Sequence, residues 1–315
     1  MKTYAYTGAL LSITGVLSAC GGMGFEEFYE VSKLRTLAIG AEPPEIGPGQ
    51  SATFSTLTVN PSSDAPMTYQ WEACLFTDGP DAYYACSEST EAGVAGFPLG
   101  NAPEAQLNYD TLTAAGFDIA EICASLEGID LPDFITLPDC TRGLPLTIRL
   151  VATQGGVTEV SKKTFTLLRP EEAEREDVNT SPVAGELTLN GQPAQGYVLS
   201  ADSTLDEVEL SLDVDLSQAQ TYEPPDPANA GQRLESNVEE LNVAWFTTHG
   251  TLEYSRTYYA QGITPVDELG SNTLDLTTGV EPETGETITL WAVLRDDRGG
   301  ISWRSWSFSV ATITN

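Results

Sequence analysis

Val208, Leu210, Leu212, Val214 and Leu216 are separated by single polar residues, Glu209, Ser211, Asp213 and Asp215. A period of two puts all five apolar side chains on one face of an extended strand. Wound as a helix, the same residues would scatter round the axis. The pattern demands a sheet with one buried face and one wet face. It returns at Met67, Tyr69, Trp71 and Ala73, at Leu146, Ile148, Leu150 and Ala152, at Leu241, Val243 and Trp245, and at Ile288, Leu290, Ala292 and Leu294. Leu34 to Ile39, Leu187 with Leu189, Leu274 with Leu276, and Trp306 with Phe308 and Val310 supply shorter strands. Turns are marked by Pro43-Pro44, Pro48-Gly49, Gly155-Gly156, Asn190-Gly191 and Gly299-Gly300, where proline and glycine interrupt a ladder. Ser51 to Val59 also reads as a strand, but its apolar parity switches between Phe54 and Leu57, which predicts a bulge.

The order of strands occurs twice, and 315 residues suffice for two ordinary domains. The expected divisions are residues 34–168 and 183–315. Residues 169–182 between them carry Glu171, Glu172, Glu174, Glu176 and Asp177 before Thr180-Ser181-Pro182, the composition of a linker that permits limited reorientation. A tryptophan in the third strand of each half (Trp71, Trp245) and a glycine hairpin near each end resemble a tandem of bacterial immunoglobulin-like domains of the PKD or cadherin-like type. The resemblance covers about residues 34–312 apart from one insert. It implies an all-β protein of two immunoglobulin-like β-sandwiches. Adhesins, accessory domains and spacers share that fold, so it names no function.

Residues 76–142 form the insert, which is not strand-like throughout. Asp118-Ile119-Ala120-Glu121 is a capping-box pattern, and Ile122 and Leu126 extend a helical stripe toward Gly128. Cys74, Cys86, Cys123 and Cys140 sit at or inside this segment. They allow three connectivities, and local pairing, Cys74 with Cys86 and Cys123 with Cys140, is favoured. Each bridge would close a loop of about 15 residues, worth about 3 kcal/mol on the chain-entropy model. A covalently closed loop on a rigid scaffold is where binding is expected first.

The charge is lopsided, with 46 Asp+Glu against 14 Lys+Arg and a formal net of -32. Such a surface repels nucleic acid and anionic headgroups, and attracts divalent cations or a basic partner.

At the N-terminus Lys2 precedes a mildly apolar run from Ala5 to Val16 and then Leu17-Ser18-Ala19-Cys20. The run is too short for a permanent span but suits a signal peptide over residues 1–19. The four residues resemble the lipobox of bacterial lipoproteins. The resemblance implies cleavage before Cys20 and a membrane anchor of acyl chains, palmitate among them, on that cysteine. Several chains together anchor stably where one does not. Gly21, where Asp would stand for inner-membrane retention, implies the outer membrane, facing the periplasm or the cell surface. Residues 20–33 read as a flexible lipidated tether, with Glu26, Glu27 and Glu30 among Phe25, Phe28 and Tyr29.

Chemistry-bearing motifs are scarce. His249, the single histidine, stands at a turn before Gly250, where a solvated role is expected. HExxH, GxSxG and GxxxxGK are absent. Calcium is weighed at Asp202 and Asp206, at Asp296 and Asp297, and at Glu171 to Asp177. None has EF-hand spacing, and solvated turns are the expected role. Tyr83-Tyr84 and Tyr254, Tyr258 and Tyr259 are candidate stacking or interface groups. The reading is a non-catalytic, membrane-anchored cell-envelope lipoprotein that acts in binding, adhesion or assembly. It needs no cofactor or metal and has a protein or glycan partner. A carbohydrate-binding accessory protein is the alternative, and a hydrolase without a recognisable motif the further one.

Overall fold

Trp71 and Trp245, both fully buried, mark the centres of two β-sandwiches. A computed structural model describes residues 27–87, 96–126, 140–200, 207–226, 232–265, 267–283 and 285–311. The signal peptide, Cys20, the helix stop at Gly128, and Asp202 and Asp206 lie outside the described residues.

The first domain contains β1 (Arg35–Glu42), β2 (Glu45–Ile46), β3 (Ser51–Val59), β4 (Thr68–Cys74), β5 (Phe97–Gly100) and β6 (Ala105–Asn108). Helices α1 (Tyr109–Ala114) and α2 (Ile119–Leu126) follow, then β7 (Gly143–Gln154) and β8 (Val157–Leu168). One sheet runs β1-β3-β6 and the other β2-β8-β7-β4-β5. Their inner faces bury Phe54, Trp71, Ile148 and Phe165 in one core.

The segment read as an insert is helical in part and crossed by both disulfides, as described below. Its middle also belongs to the sandwich: β5 pairs with β4 and β6 with β3. Leu107, Leu112, Phe117 and Ile122 reach the common core. The capping pattern is realised where the Asp118 carboxylate accepts the Glu121 N–H at 2.9 Å.

After α3 (Pro170–Ala173) the second domain contains β9 (Leu187–Leu189), β10 (Gln192–Pro193), β11 (Val198–Ser200), β12 (Glu207–Leu212), β13 (Thr221–Tyr222), β14 (Asn237–Val238) and β15 (Leu241–Thr247). It continues with β16 (Thr251–Leu252), β17 (Arg256–Tyr259), β18 (Ser271–Asp275), β19 (Thr287–Asp296) and β20 (Ile301–Ala311). Its two large sheets are β10-β9-β12-β18-β16 and β11-β20-β19-β15-β17, and β13 pairs with β14 in a small one. The plan of the first domain recurs, down to one short parallel pairing against the last strand, β2 on β8 and β11 on β20. The long alternation stops being a strand at Leu212. Asp215 caps a short 3-10 turn at Leu216–Gln218 by accepting the Ser217 N–H.

The parity switch in β3 has a different cause from the one expected. Ala52 and Phe54 face the first core, whereas Leu57 and Val59 face outward onto the second domain. The extra residue lies instead on β1, between Thr36 and Ala38. The outer faces of β1 and β3 meet those of β15, β19 and β20, so Leu37, Ala38 and Leu57 pack with Phe246, Trp291, Val293 and Trp303. A Cβ at Gly40 would come within 2.9 Å of the Trp303 ring, so the close approach of the sheets needs glycine there. Burial of an apolar seam this continuous opposes the reorientation that a bare linker would permit.

The tether expectation also changes. Residues 27–33 are docked rather than free. The Val31 N–H donates to the Thr247 carbonyl and the Thr247 N–H to the Tyr29 carbonyl, each at 2.9 Å. Val31 is buried in the seam. Phe28 lies tilted against Phe246, ring centres 5.5 Å apart, with the Arg35 and Arg256 guanidinium groups over its ring.

Candidate functional site

Two regions carry side chains that packing alone does not explain, and the first is the loop closed by Cys74 and Cys86. Cys74 is bonded to Cys86 and Cys123 to Cys140, with Cα separations of 5.1 and 5.9 Å, inside the usual disulfide range. This is the local connectivity. A Cβ at Gly96 would strike Cys86 Sγ at 2.6 Å, so only glycine lets the returning chain pass the first bridge.

Inside that loop Tyr83 and Tyr84 both take left-handed backbone conformations, φ 52° and 53°. Each costs about 1–3 kcal/mol for a side-chain-bearing residue, and such strain persists only where the surroundings over-determine it. The surroundings do so here. Arg149 Nε donates to the Tyr83 carbonyl at 3.0 Å while its Nη1 pairs with Glu72 at 2.8 Å. The Lys162 ammonium lies 4.4 Å from the centre of the Tyr84 ring, a cation–π contact. The result holds Tyr83 outward, 69% exposed. Among the other tyrosines weighed, Tyr254 and Tyr258 are exposed, while Tyr259 packs partly against the second core.

The second region is the polar part of the seam. Arg298, in the turn between β19 and β20, donates to Glu239 at 3.0 Å, to Glu45 at 3.3 Å and to the Asp177 carbonyl at 2.6 Å. Glu45 also accepts from Arg142 and from the Asn179 N–H, each at 2.8 Å. Glu172 pairs with Arg233. Glu45 and Glu239 are 3% and 1% exposed. One guanidinium thus joins the first domain, the segment between the domains and the second domain. Burial pushes the Glu239 carboxyl up to about 7, outweighing the Gln220 amide and Arg298 that favour its charged form. Burial also raises the Asp296 carboxyl. Asp177 moves the other way: hydrogen bonds from Arg175 hold it well below the usual carboxylate range.

The acidic run between the domains is therefore fastened rather than solvated. Arg175 holds Asp177 through two nitrogens at 2.7 and 3.0 Å, and the Thr180 N–H donates to Gln220 at 2.9 Å. Asp296 accepts the Gly300 and Arg298 amides at 2.7 and 2.9 Å, and Asp297 accepts from the Tyr222 hydroxyl at 3.3 Å. Among the described residues no group of three or more acidic, histidine or cysteine side chains is placed to hold a metal ion.

Two further cations cross the seam to backbone rather than to carboxylates. Lys163 Nζ donates to the Gly299 carbonyl at 2.5 Å, and Arg295 Nη2 to the Leu37 carbonyl at 2.9 Å. Leu37 is the extra residue of the β1 bulge, which ladder pairing leaves over. Lys163 is 8% exposed. It shares the inward parity of Phe165 and Leu167 on β8, a position that alternation assigns to a hydrophobic side chain. Sequence reasoning missed both cations. The one available signal was a lysine on an inward position.

His249 stays in its turn. Its Nδ1 lies 2.9 Å from Thr248 Oγ1 and its Nε2 3.4 Å from Glu286. The same Thr248 hydroxyl accepts the Thr289 N–H at 3.0 Å, which ties the turn to β19.

No family model and no curated protein matches the chain. Among solved structures, the three N-terminal domains of the Hoc outer capsid protein of bacteriophage RB49 align at 12% identity over 88% of this chain and 59% of that one, with a TM-score of 0.21. Escherichia coli alpha-2-macroglobulin aligns at 12% identity over 92% of this chain and 23% of its own, with a TM-score of 0.23. Murine CEACAM1b aligns at 9% identity over 87% and 98%, with a TM-score of 0.21. The chain spans less than two thirds of the length of the phage and Escherichia coli proteins. The immunoglobulin-like sandwich assignment rests on the sheets of this chain.

Proposed function

We propose that the chain is a non-catalytic binding lipoprotein of the bacterial outer membrane, anchored through Cys20, that offers the strained Tyr83 loop to a partner in the cell envelope. The observation that carries the reading is an accounting of thiols. Of five cysteines, four are consumed in two disulfides, which leaves Cys20 as the one sulfur for an acyl chain. Disulfides of this kind suit an oxidising compartment outside the cytoplasm. Metabolic labelling with radioactive palmitate tests it. Label should enter the protein and the membrane fraction should retain it, and Cys20→Ser should abolish both. A labelled Cys20→Ser protein, or an unlabelled wild type, would refute the anchor. Exposed Tyr254 and Tyr258 favour a second reading, a carbohydrate-binding accessory protein with stacking aromatics. Glycan-array binding that disappears in the Tyr254→Ala/Tyr258→Ala double variant would support it, and silence on the array would remove it.

A further inference from the structure

We propose that the cleft between the two domains is a binding site for a small ligand bearing an oxyanion, a carboxylate, phosphate or sulfate group, seated against Lys163 of the first domain and Arg295 of the second. The inference goes beyond the anchored binding role and does not rest on it.

The cleft is open to solvent and has a volume of about 480 Å³, within the size range of small-molecule sites. Its lining contains Lys162, Lys163 and Arg295 together with the hydroxyl residues Thr36, Ser161 and Thr164, and no carboxylate. In a chain with 46 acidic side chains against 14 Lys+Arg, that lining is anomalous. Five other arginines, Arg142, Arg149, Arg175, Arg233 and Arg298, have carboxylate partners. Among the described residues, Lys163 and Arg295 reach only backbone carbonyls. Arg295 Nη1 is buried and donates to nothing.

The charges around the pair do not supply the missing counter-ion. Asp296 attracts Lys163 from a distance: its Oδ1 is held by the amides of its own hairpin, and its Oδ2, buried without a partner, forms no direct ion pair with the ammonium. Arg256 adds repulsion at Arg295. Burial accordingly lowers the Lys163 ammonium to about 8 and the Arg295 guanidinium to about 10. An oxyanion would reverse both shifts, because an opposite charge in a partly buried site favours the charged form. It would also set a negative charge beside a guanidinium whose one hydrogen bond goes to a neutral carbonyl. Since the two cations come from different domains, the ligand would bridge the seam and stabilise the folded pair in proportion to its occupancy.

Calorimetric titration of the full chain in detergent with inorganic phosphate, acetate, glucuronate and glucose 6-phosphate, at fixed ionic strength in chloride, tests the proposal. Saturable binding that weakens about tenfold or more in Arg295→Gln, as expected for the loss of a charge-assisted bond, supports it. Tighter binding of the sugar anions than of phosphate and acetate would make the ligand an anionic carbohydrate, whereas equal affinities would make it the oxyanion alone. Absence of saturable binding for all four anions, or affinity unchanged in Arg295→Gln, overturns it. A second readout needs no variant, because the chain has only Lys2, Lys33, Lys162 and Lys163. After ¹³C-methylation of the amines, the anion should shift the Lys163 resonance saturably and raise its midpoint, leaving Lys33 in place. Equal movement of both signals, or of neither, overturns the proposal independently of how Arg295→Gln folds.

Discussion

The two sandwiches share a plan and close it by different means. In the first, the indole N–H of Trp71 donates to the Ala102 carbonyl at 3.0 Å, in the chain just beyond the first disulfide. In the second, the Trp245 indole donates at 3.0 Å to the Thr257 hydroxyl of β17, which in turn donates to the Leu269 carbonyl. The first domain sets a three-stranded sheet against a five-stranded one and adds two short helices and both bridges; the second sets two five-stranded sheets face to face, adds the β13-β14 pair, and has no cysteine. Covalent closure stands where regular pairing is thin, and hydrogen-bonded strands replace it where they are plentiful. The domain without bridges also supplies Arg298 and Arg295, the two arginines that reach across the seam to the first domain's Glu45 and Leu37.

The comparison breaks first at its shared element. Trp71→Ala and Trp245→Ala should each cost about 3–5 kcal/mol, the usual range for emptying a buried aromatic site. Urea unfolding of each variant measures this, and a cost below about 1 kcal/mol at either position would end the equivalence of the two cores. Arg298→Ala comes close behind, at about 3–5 kcal/mol, because it leaves Glu239 buried without its cationic partner, while Glu45 keeps Arg142. Calorimetry should then show two thermal transitions in place of coupled unfolding, whereas an unchanged single transition would mean that the apolar seam alone joins the domains.

Reduction sharpens the contrast. Opening the two bridges should cost about 3 kcal/mol each on the chain-entropy model, felt in the first domain alone. Amide exchange in β15 and β19 should stay as it was, and equal loosening of both domains would contradict this division.

Acidity separates them more gently. Glu239 takes up protons in the folded state up to about pH 7, above its ordinary 4.5. The folded form therefore binds more protons across that window, and stability falls as pH rises from about 4.5 to 7. Asp296 contributes in the same direction. Urea midpoints at pH 5 and 7.5 should differ in the wild type and draw closer in Glu239→Gln, with the remainder due to Asp296; an unaltered slope would assign the dependence elsewhere. The smallest effect belongs to Tyr83→Ala, within about 0.5 kcal/mol of wild-type stability, while capture of an envelope partner through this loop should be lost. Retained capture would move the contact surface to another part of the molecule.

Most strands were readable because alternation is local. Met67 to Ala73, Leu146 to Ala152 and Ile288 to Leu294 each declare a buried face without reference to anything distant. The segment between Cys86 and Cys123 was harder. β5 contains Pro98, β6 is four residues long, and neither offers enough repeats for a period to show. The seam was unreadable for a deeper reason. Leu57 and Val59 look like a register fault until a second domain covers them, and Lys163 looks misplaced until Gly299 arrives from residues far along the chain. The acidic run at 169–182 has a linker's composition, and only the positions of Arg175, Gln220 and Glu45 turn it into a fastened strap.

The clip of Tyr29 and Val31 onto Thr247 would set a mooring distance for a chain anchored at Cys20. Seven peptide steps separate Cys20 from Glu27, a reach of no more than about 25 Å when fully stretched. With fatty acids on Cys20, the body would ride low over the lipid surface, its height capped by less than the thickness of a bilayer's hydrocarbon layer.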